Sequence, residues 1–305
     1  MTHSWSRRAE FYHAFLSDAC PQIRVLGIRA VYRIPLELRG LIALLRKEPD
    51  RTVQIELLEK LTEAQELEFN LPQNIVEVAL PFTDVEQTEY SARRLLEAVT
   101  YNAATPAGIY SSEPEQHREW LARSRRLWEQ WWKENKDKSR VEWFRLGLQR
   151  EIESLQAKPA GNDPTWRLQN RLTSLRTYGL DTPSAEKISQ WKIWWADHKG
   201  QNDVTVLSVL LKEANWDSEK KQIIYVIGSL EDPRFLSILK PEFIRVLEIR
   251  DRPRPAVADY AYGDAITSMY AIIHAVWRIT KVKSGSLSSG EDVEKSIQSC
   301  RELFQ

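Results

Sequence analysis

Apolar residues recur along this chain at intervals of three and four, the spacing that gathers side chains on one face of an α-helix. Similar spacing occurs in 23–34 and in 53–61. The clearest stripe consists of Ile266, Met269, Tyr270, Ile273 and Trp277. On a β-strand the same residues would point to both faces. The pattern therefore predicts an all-α protein.

Proline and short polar side chains indicate where the helices begin and end. The chain contains 14 Pro and only 11 Gly, and most prolines are separated by windows of roughly 10 to 20 residues, the length of ordinary helices. A short acceptor side chain can bind the unpaired N–H groups of a first helical turn. Helices are therefore predicted to begin at or just after Asp50, Asp84, Ser184, Asp217 and Asp232. Loops are predicted at 102–114, 157–164, 251–255 and 284–290.

The segment 222–227 fits two kinds of secondary structure. Its β-branched residues suit a buried strand, whereas Ile223, Ile227 and Leu230 keep the helical spacing. We expect a helix. A β-sheet through 204–230 would contradict the predicted fold.

A tryptophan motif of the form W-x-x-W-W occurs twice, 63 residues apart. The two copies, which we call the Trp boxes, consist of Trp128, Trp131 and Trp132 and of Trp191, Trp194 and Trp195. On a helix each trio forms one broad apolar ridge. Burying one Trp removes about 150–250 Å² from water, so we expect the ridges to pack against neighbouring helices. The alternative is an exposed aromatic platform for nucleic-acid bases or a partner's side chains.

A weaker repeat and several local patterns resemble HEAT-repeat proteins. Residues 22–31 align with 50–58 at an offset of 27, and recurring short helical segments are typical of solenoids. The segment 21–31 resembles the second helix of a HEAT repeat, and 231–247 is similar to the Asp-Pro-Arg entry of the PBS-lyase-like HEAT class. The stretch 178–195 resembles a Gly-x-Asp and W-x-x-W-W pattern of some bacterial HEAT-repeat proteins.

This resemblance implies a fold and a role. The fold is an α-solenoid of stacked antiparallel helix pairs, and the offsets of 27 and 63 make its repeats irregular. The solenoid is expected to cover 1–283, and 102–114 is the place where we expect any break. A linker and a short terminal helix at 291–304 follow in 284–305. HEAT-repeat proteins are as a rule scaffolds or binding surfaces, so the resemblance implies no catalytic residues.

Composition limits the classes of function. Of 305 residues, 43 are Lys or Arg and 43 are Asp or Glu, which gives a formal net charge of zero and argues against a globally basic nucleic-acid binder. Two cysteines are too few for a disulfide framework or a CxxC metal site. No run of about 18 apolar residues occurs, and the first residues lack the apolar stretch of a signal peptide. We expect a soluble, cytoplasmic protein with no membrane contact.

Motifs of catalysis and cofactor binding give no support to an enzyme. None of the five His has the spacing that brings two imidazoles to one metal. The glycine-rich loops that cradle phosphates and the GxSxG nucleophile elbow do not occur. The sequence therefore predicts no catalytic residue, cofactor or metal site.

Candidate partner contacts cluster in the segment 250–264. Arginines crowd the predicted turn at 251–255, and turns along one edge of a solenoid often line its binding face. A polar and aromatic cluster follows, which is unusual for residues that only pack. The candidates are Arg250, Arg252, Arg254, Asp259, Tyr260, Tyr262 and Asp264.

We therefore predict a non-enzymatic scaffold that presents a groove or a turn edge to a protein partner of unknown identity. One alternative is a HEAT-like DNA glycosylase or another nucleic-acid-binding protein, although the zero net charge makes nucleic acid an unexpected partner. Another is an ancillary or immunity-type subunit that folds around one partner.

Overall fold

Every secondary-structure element assigned in the computed structural model is a helix. The model describes residues 14–30, 35–67, 71–101, 113–154, 185–214, 217–252, 260–282 and 290–305. Within this part of the chain the all-α prediction is confirmed. The chain divides into two units, Met1–Lys138 and Ser139–Gln305. The break predicted near 102–114 falls largely outside the described residues.

In the first unit, α3 is the central helix. It packs against α1, α2 and α5, while α4 packs against α2 and α5. The long helix α6 contacts the single 3-10 turn that follows α4. These helices span Pro21–Ala30 (α1), Pro35–Leu45 (α2), Arg51–Leu67 (α3), Ile75–Ala79 (α4), Glu89–Thr100 (α5) and Pro114–Asn135 (α6), and the 3-10 turn spans Leu80–Phe82. Fully buried leucines and valines of α3 and α5 form the core between them.

In the second unit, α12 is the central helix. Its largest interface is with α10, and it also packs against α11 and α13; α7 contacts α8 and α10, and α9 contacts α10. The terminal helix predicted at 291–304 is confirmed as α13. The helices span Arg140–Ser154 (α7), Ala185–His198 (α8), Asp203–Glu213 (α9), Asp217–Leu230 (α10), Leu236–Arg250 (α11), Tyr260–Thr280 (α12) and Gly290–Phe304 (α13), and a 3-10 turn spans Pro233–Phe235.

The ambiguous segment 222–227 lies inside α10. Ile223 and Ile227 are fully buried, and Leu230 is buried one turn further on. Their three- and four-residue spacing places them on the face that meets the other helices, so tertiary packing outweighs the β-preference of the branched side chains.

Three of the predicted helix starts are confirmed. The Oδ1 of Asp50 accepts hydrogen bonds from the N–H groups of residues 52 and 53 at the start of α3, Asp232 accepts one from the N–H of Arg234, and α10 begins at Asp217. The prediction for Asp84 is wrong, because α5 begins only at Glu89. The Asp84 carboxylate instead binds the Arg125 guanidinium at 2.7 Å. Ser184 lies outside the described residues, as do the loop at 157–164 and residues 284–289.

Four of the five Trp-box side chains that the structure describes are buried. Trp128 is fully buried, and Trp131, Trp194 and Trp195 are buried. Trp132 is half-buried, and its indole N–H donates to Glu77 at 3.3 Å. The packing role predicted for the boxes is therefore confirmed for the four buried rings, and the side chain of Trp191 lies outside the described residues.

Each Trp box ends its helix with the same backbone contact. The Asn135 side-chain amide donates to the carbonyl oxygen of Trp131 at 2.7 Å, and in the second copy His198 Nδ1 lies 2.6 Å from the carbonyl oxygen of Trp194. Asn135 and His198 are the last residues of α6 and α8. In both copies four residues follow before the next helix begins.

The helices that follow the boxes are also capped alike. The Ser139 hydroxyl accepts the N–H of Glu142 at 3.3 Å, and the Glu142 carboxylate accepts the N–H of Ser139 at 2.7 Å, which is a capping box. At the equivalent positions, Asn202 Oδ1 accepts the N–H of Thr205 at 2.9 Å. The 63-residue repeat therefore extends beyond the tryptophans. It covers a helix, a turn of four residues and the capped start of the next helix.

The two cysteines are predicted to react very differently with thiol reagents. Cys300 is buried on α13 and Cys20 is half-buried, and burial raises the pKa of the Cys300 thiol to about 12. Because the thiolate is the reactive form, one thiol per chain should react rapidly at pH 8 in the native protein and both in denaturant. Absorbance of a released chromogenic thiolate measures this, and equal native rates for wild type and Cys20→Ser would contradict it.

Candidate docking cleft

A cleft of about 500 Å³ lies between the C-terminal end of α11, the first half of α12 and α13. We call it the α11–α13 cleft. Met269 and Ile297 are buried and form its floor, and Ile266 is half-buried beside them. The half-buried Tyr262, Tyr270 and Val293 complete its apolar and aromatic lining.

The charged residues of the lining are Arg250, Asp251 and Glu294. The Arg250 Nε donates to Asp251 Oδ1 at 2.9 Å, and its Nη1 lies 3.2 and 3.3 Å from the two carboxylate oxygens of Glu294. The Arg250 guanidinium therefore joins the end of α11 to the first turns of α13.

Apolar packing fixes α13 against α11. The rings of Phe243 and Phe304 lie 5.3 Å apart, and Ile297 and Cys300 continue the same buried face of α13. An ion pair between Arg301 and Asp251 at 3.4 Å also joins α13 to the residue that follows α11. The α11 and α13 walls of the cleft are thus joined to each other by an aromatic contact and an ion pair.

Of the candidate partner residues, the structure brings Arg250 and Tyr262 together in the cleft. Arg252 is exposed just after α11. Tyr260 and Asp264 belong to α12, but their side chains lie outside the described residues. Residues Arg254 and Asp259 lie wholly outside them.

Sequence reasoning missed the α13 side of the cleft. Val293, Glu294 and Ile297 line it as fully as the α12 residues do. They lie more than 25 residues from Tyr262 in the chain, so no local pattern connects them. Ile297 had one usable signal, because its stripe with Cys300 and Phe304 identifies the buried face of α13.

A second group of ionisable side chains lies on α5. The Arg93 guanidinium binds Glu89 at 3.0 Å and Glu97 at 3.1 Å. Burial raises the pKa of the Glu89 carboxyl, and the positive charge of Arg93 opposes that shift. Arg93 offsets the charge of both acids in part, which is the behaviour of a structural ion-pair network.

The described residues contain no cluster of three or more His, Cys, Asp or Glu arranged to hold a metal ion. The same residues include no helix with the length and apolar character needed to cross a membrane. No protein-family model, curated protein or solved structure matches this chain.

Proposed function

We propose that this chain is a non-enzymatic scaffold that binds a protein partner in the α11–α13 cleft. The observation that carries the proposal is the combination in one open cleft of a buried apolar floor, two tyrosines and a charged rim. An apolar and aromatic centre surrounded by polar groups is the usual anatomy of a protein interface.

The side chains of the lining support the same conclusion. The cleft has the volume of an ordinary ligand pocket, about 500 Å³. Its floor contains Met269, and the flexible, polarisable thioether adapts to apolar side chains of different shapes. The aromatic rings of Tyr262 and Tyr270 offer large contact areas at a low cost in conformational entropy.

We further propose that the helices stack as an irregular HEAT-like solenoid within each unit. In the first unit, contacts join helices that are neighbours or next-but-one neighbours in chain order, such as α2 with α3 and α3 with α5. In a solenoid each layer meets only the layers beside it. In the second unit α10, α11, α12 and α13 follow the same rule, whereas the contact between α7 and α10 departs from it.

The proposal predicts that Val293→Arg abolishes partner binding. Val293 is half-buried in the cleft wall, so an arginine there fills the cleft and brings a charge to the apolar contact. Affinity purification of the tagged chain from its source cells, with quantitative mass spectrometry, should show a partner that wild type retains and Val293→Arg loses by roughly tenfold or more.

Gln298→Arg is the matched control. It places the same side chain on the same helix at an exposed position outside the cleft lining, and it should retain the partner. Protection of the Cys300 thiol reports whether α13 remains packed in both variants. A partner that is lost equally from both, or retained equally by both, contradicts the proposed site.

A further inference from the structure

We propose that the α11–α13 cleft recognises a linear peptide segment that carries a large apolar side chain next to a lysine or arginine. This inference rests on the proposed function and adds to it the chemistry of the partner. It follows from three features of the cleft: the excess of carboxylates in its lining, the accessibility of those carboxylates and the apolar floor beneath them.

The lining carries two carboxylates and one guanidinium. Arg250, Asp251 and Glu294 together therefore have a net charge of −1. Arg301 contacts Asp251 at 3.4 Å, but it is not among the residues that line the cleft. Among the charged side chains that line the cleft, the acids therefore outnumber the bases by one.

The two acids are also more exposed to a partner than the arginine is. The Arg250 side chain is 19% exposed, whereas Asp251 is 47% exposed and Glu294 is 62% exposed. All three nitrogens of the Arg250 guanidinium already contact one of these carboxylates, at 2.8 to 3.3 Å. A carboxylate has about four lone-pair sites, so both acids keep acceptor capacity that faces water. The groups still able to bind a partner's charge are therefore the acids.

The apolar floor of the cleft favours a large apolar side chain next to the lysine or arginine of the partner segment. Met269 and Ile297 are each 1% exposed, and the half-buried Ile266 and Val293 extend the apolar surface toward the rim. A leucine, methionine or phenylalanine side chain inserted here loses its water contacts, while a neighbouring lysine or arginine stays at the wetter rim. An acidic segment would place its carboxylates beside Asp251 and Glu294 and would be repelled.

Panning a random dodecapeptide library against the full chain tests the inference. We expect the retained peptides to be enriched in an apolar residue adjacent to Lys or Arg, and their binding to be lost with Val293→Arg. For individual retained peptides, Glu294→Lys should weaken binding by roughly tenfold at low salt, measured by fluorescence anisotropy. Gln298→Lys, the same charge on an exposed site of α13 outside the cleft lining, should change it little.

The possible outcomes separate this inference from the proposed function. Retained peptides that are acidic or uncharged, yet lost with Val293→Arg, overturn the basic-segment inference and leave the cleft as a protein-binding site. Equal weakening by Glu294→Lys and Gln298→Lys also overturns it, because bulk charge then explains the effect. A library that yields no peptide sensitive to Val293→Arg counts against both proposals.

Discussion

Gly228→Ala is expected to destabilise the second unit, although alanine is the better helix former. Gly228 lies on α10 against α12, and a Cβ built there would lie 2.7 Å from Ala275 Cα and 2.9 Å from Ala275 Cβ. The obstacle is backbone, so the two helices must separate. Overpacking of this kind costs roughly 1–3 kcal/mol, and α10 with α12 is the largest helix interface in the described structure. We expect a net loss on the order of 2 kcal/mol in the free energy of unfolding.

Gly263→Ala provides a control of opposite sign. Gly263 is on α12 and exposed, and a Cβ built there meets no atom within 4 Å. The same substitution should therefore stabilise the helix by up to about 1 kcal/mol. Native-state hydrogen exchange of α10 and α12 amides measures both changes. A stabilisation by Gly228→Ala would show that the helices are not in close contact.

Arg24→Met is expected to cost roughly 3–5 kcal/mol in the first unit, because it leaves a buried carboxylate without its counter-charge. The side chains of Arg24 and Glu48 are 11% and 2% exposed. They are joined at 2.6 and 3.0 Å, and Arg24 Nη1 also donates to the carbonyl oxygen of Asp18 at 2.7 Å. The pair connects α1 to the segment that leads into α3.

Arg29→Met is the matched control, since Arg29 lies on the same helix and pairs with Glu56 at 2.8 Å. The Arg29 side chain is 64% exposed, and water screens such pairs so strongly that they contribute little to stability. Hydrogen exchange of α1 and α3 amides should detect a large change for Arg24→Met and a small one for Arg29→Met. Similar changes would mean that the Arg24 pair is effectively solvated.

Sequence patterns predicted the features of this fold that depend on neighbouring residues. Ile223 and Ile227 identified a helix despite their β-branched side chains, and Asp50 identified a helix start. Asp84 misled the same reasoning, because a carboxylate that can cap a helix can also pair with an arginine 41 residues away. Which of the two it does is decided by tertiary structure.

The candidate site was predicted only on one side for the same reason. Arg250 and Tyr262 belong to the segment whose composition was unusual, and both line the cleft. Val293 and Glu294 have no unusual local pattern, and only the packing of α13 on α11 and α12 brings them there. The contact between the Phe243 and Phe304 rings, which is part of that packing, joins residues 61 positions apart and has no local signature.

The repeated helix–turn–helix has a consequence for how this chain can be divided. The first copy runs from α6 into α7, and the boundary between the two units falls after Lys138, inside its connecting turn. The second copy, α8 with α9, lies wholly in the second unit. The boundaries of the repeated segment therefore do not coincide with the boundary between the two compact units. A fragment cut at the compaction boundary would separate Ser139 and Glu142, which cap α7, from the tryptophan helix that precedes them.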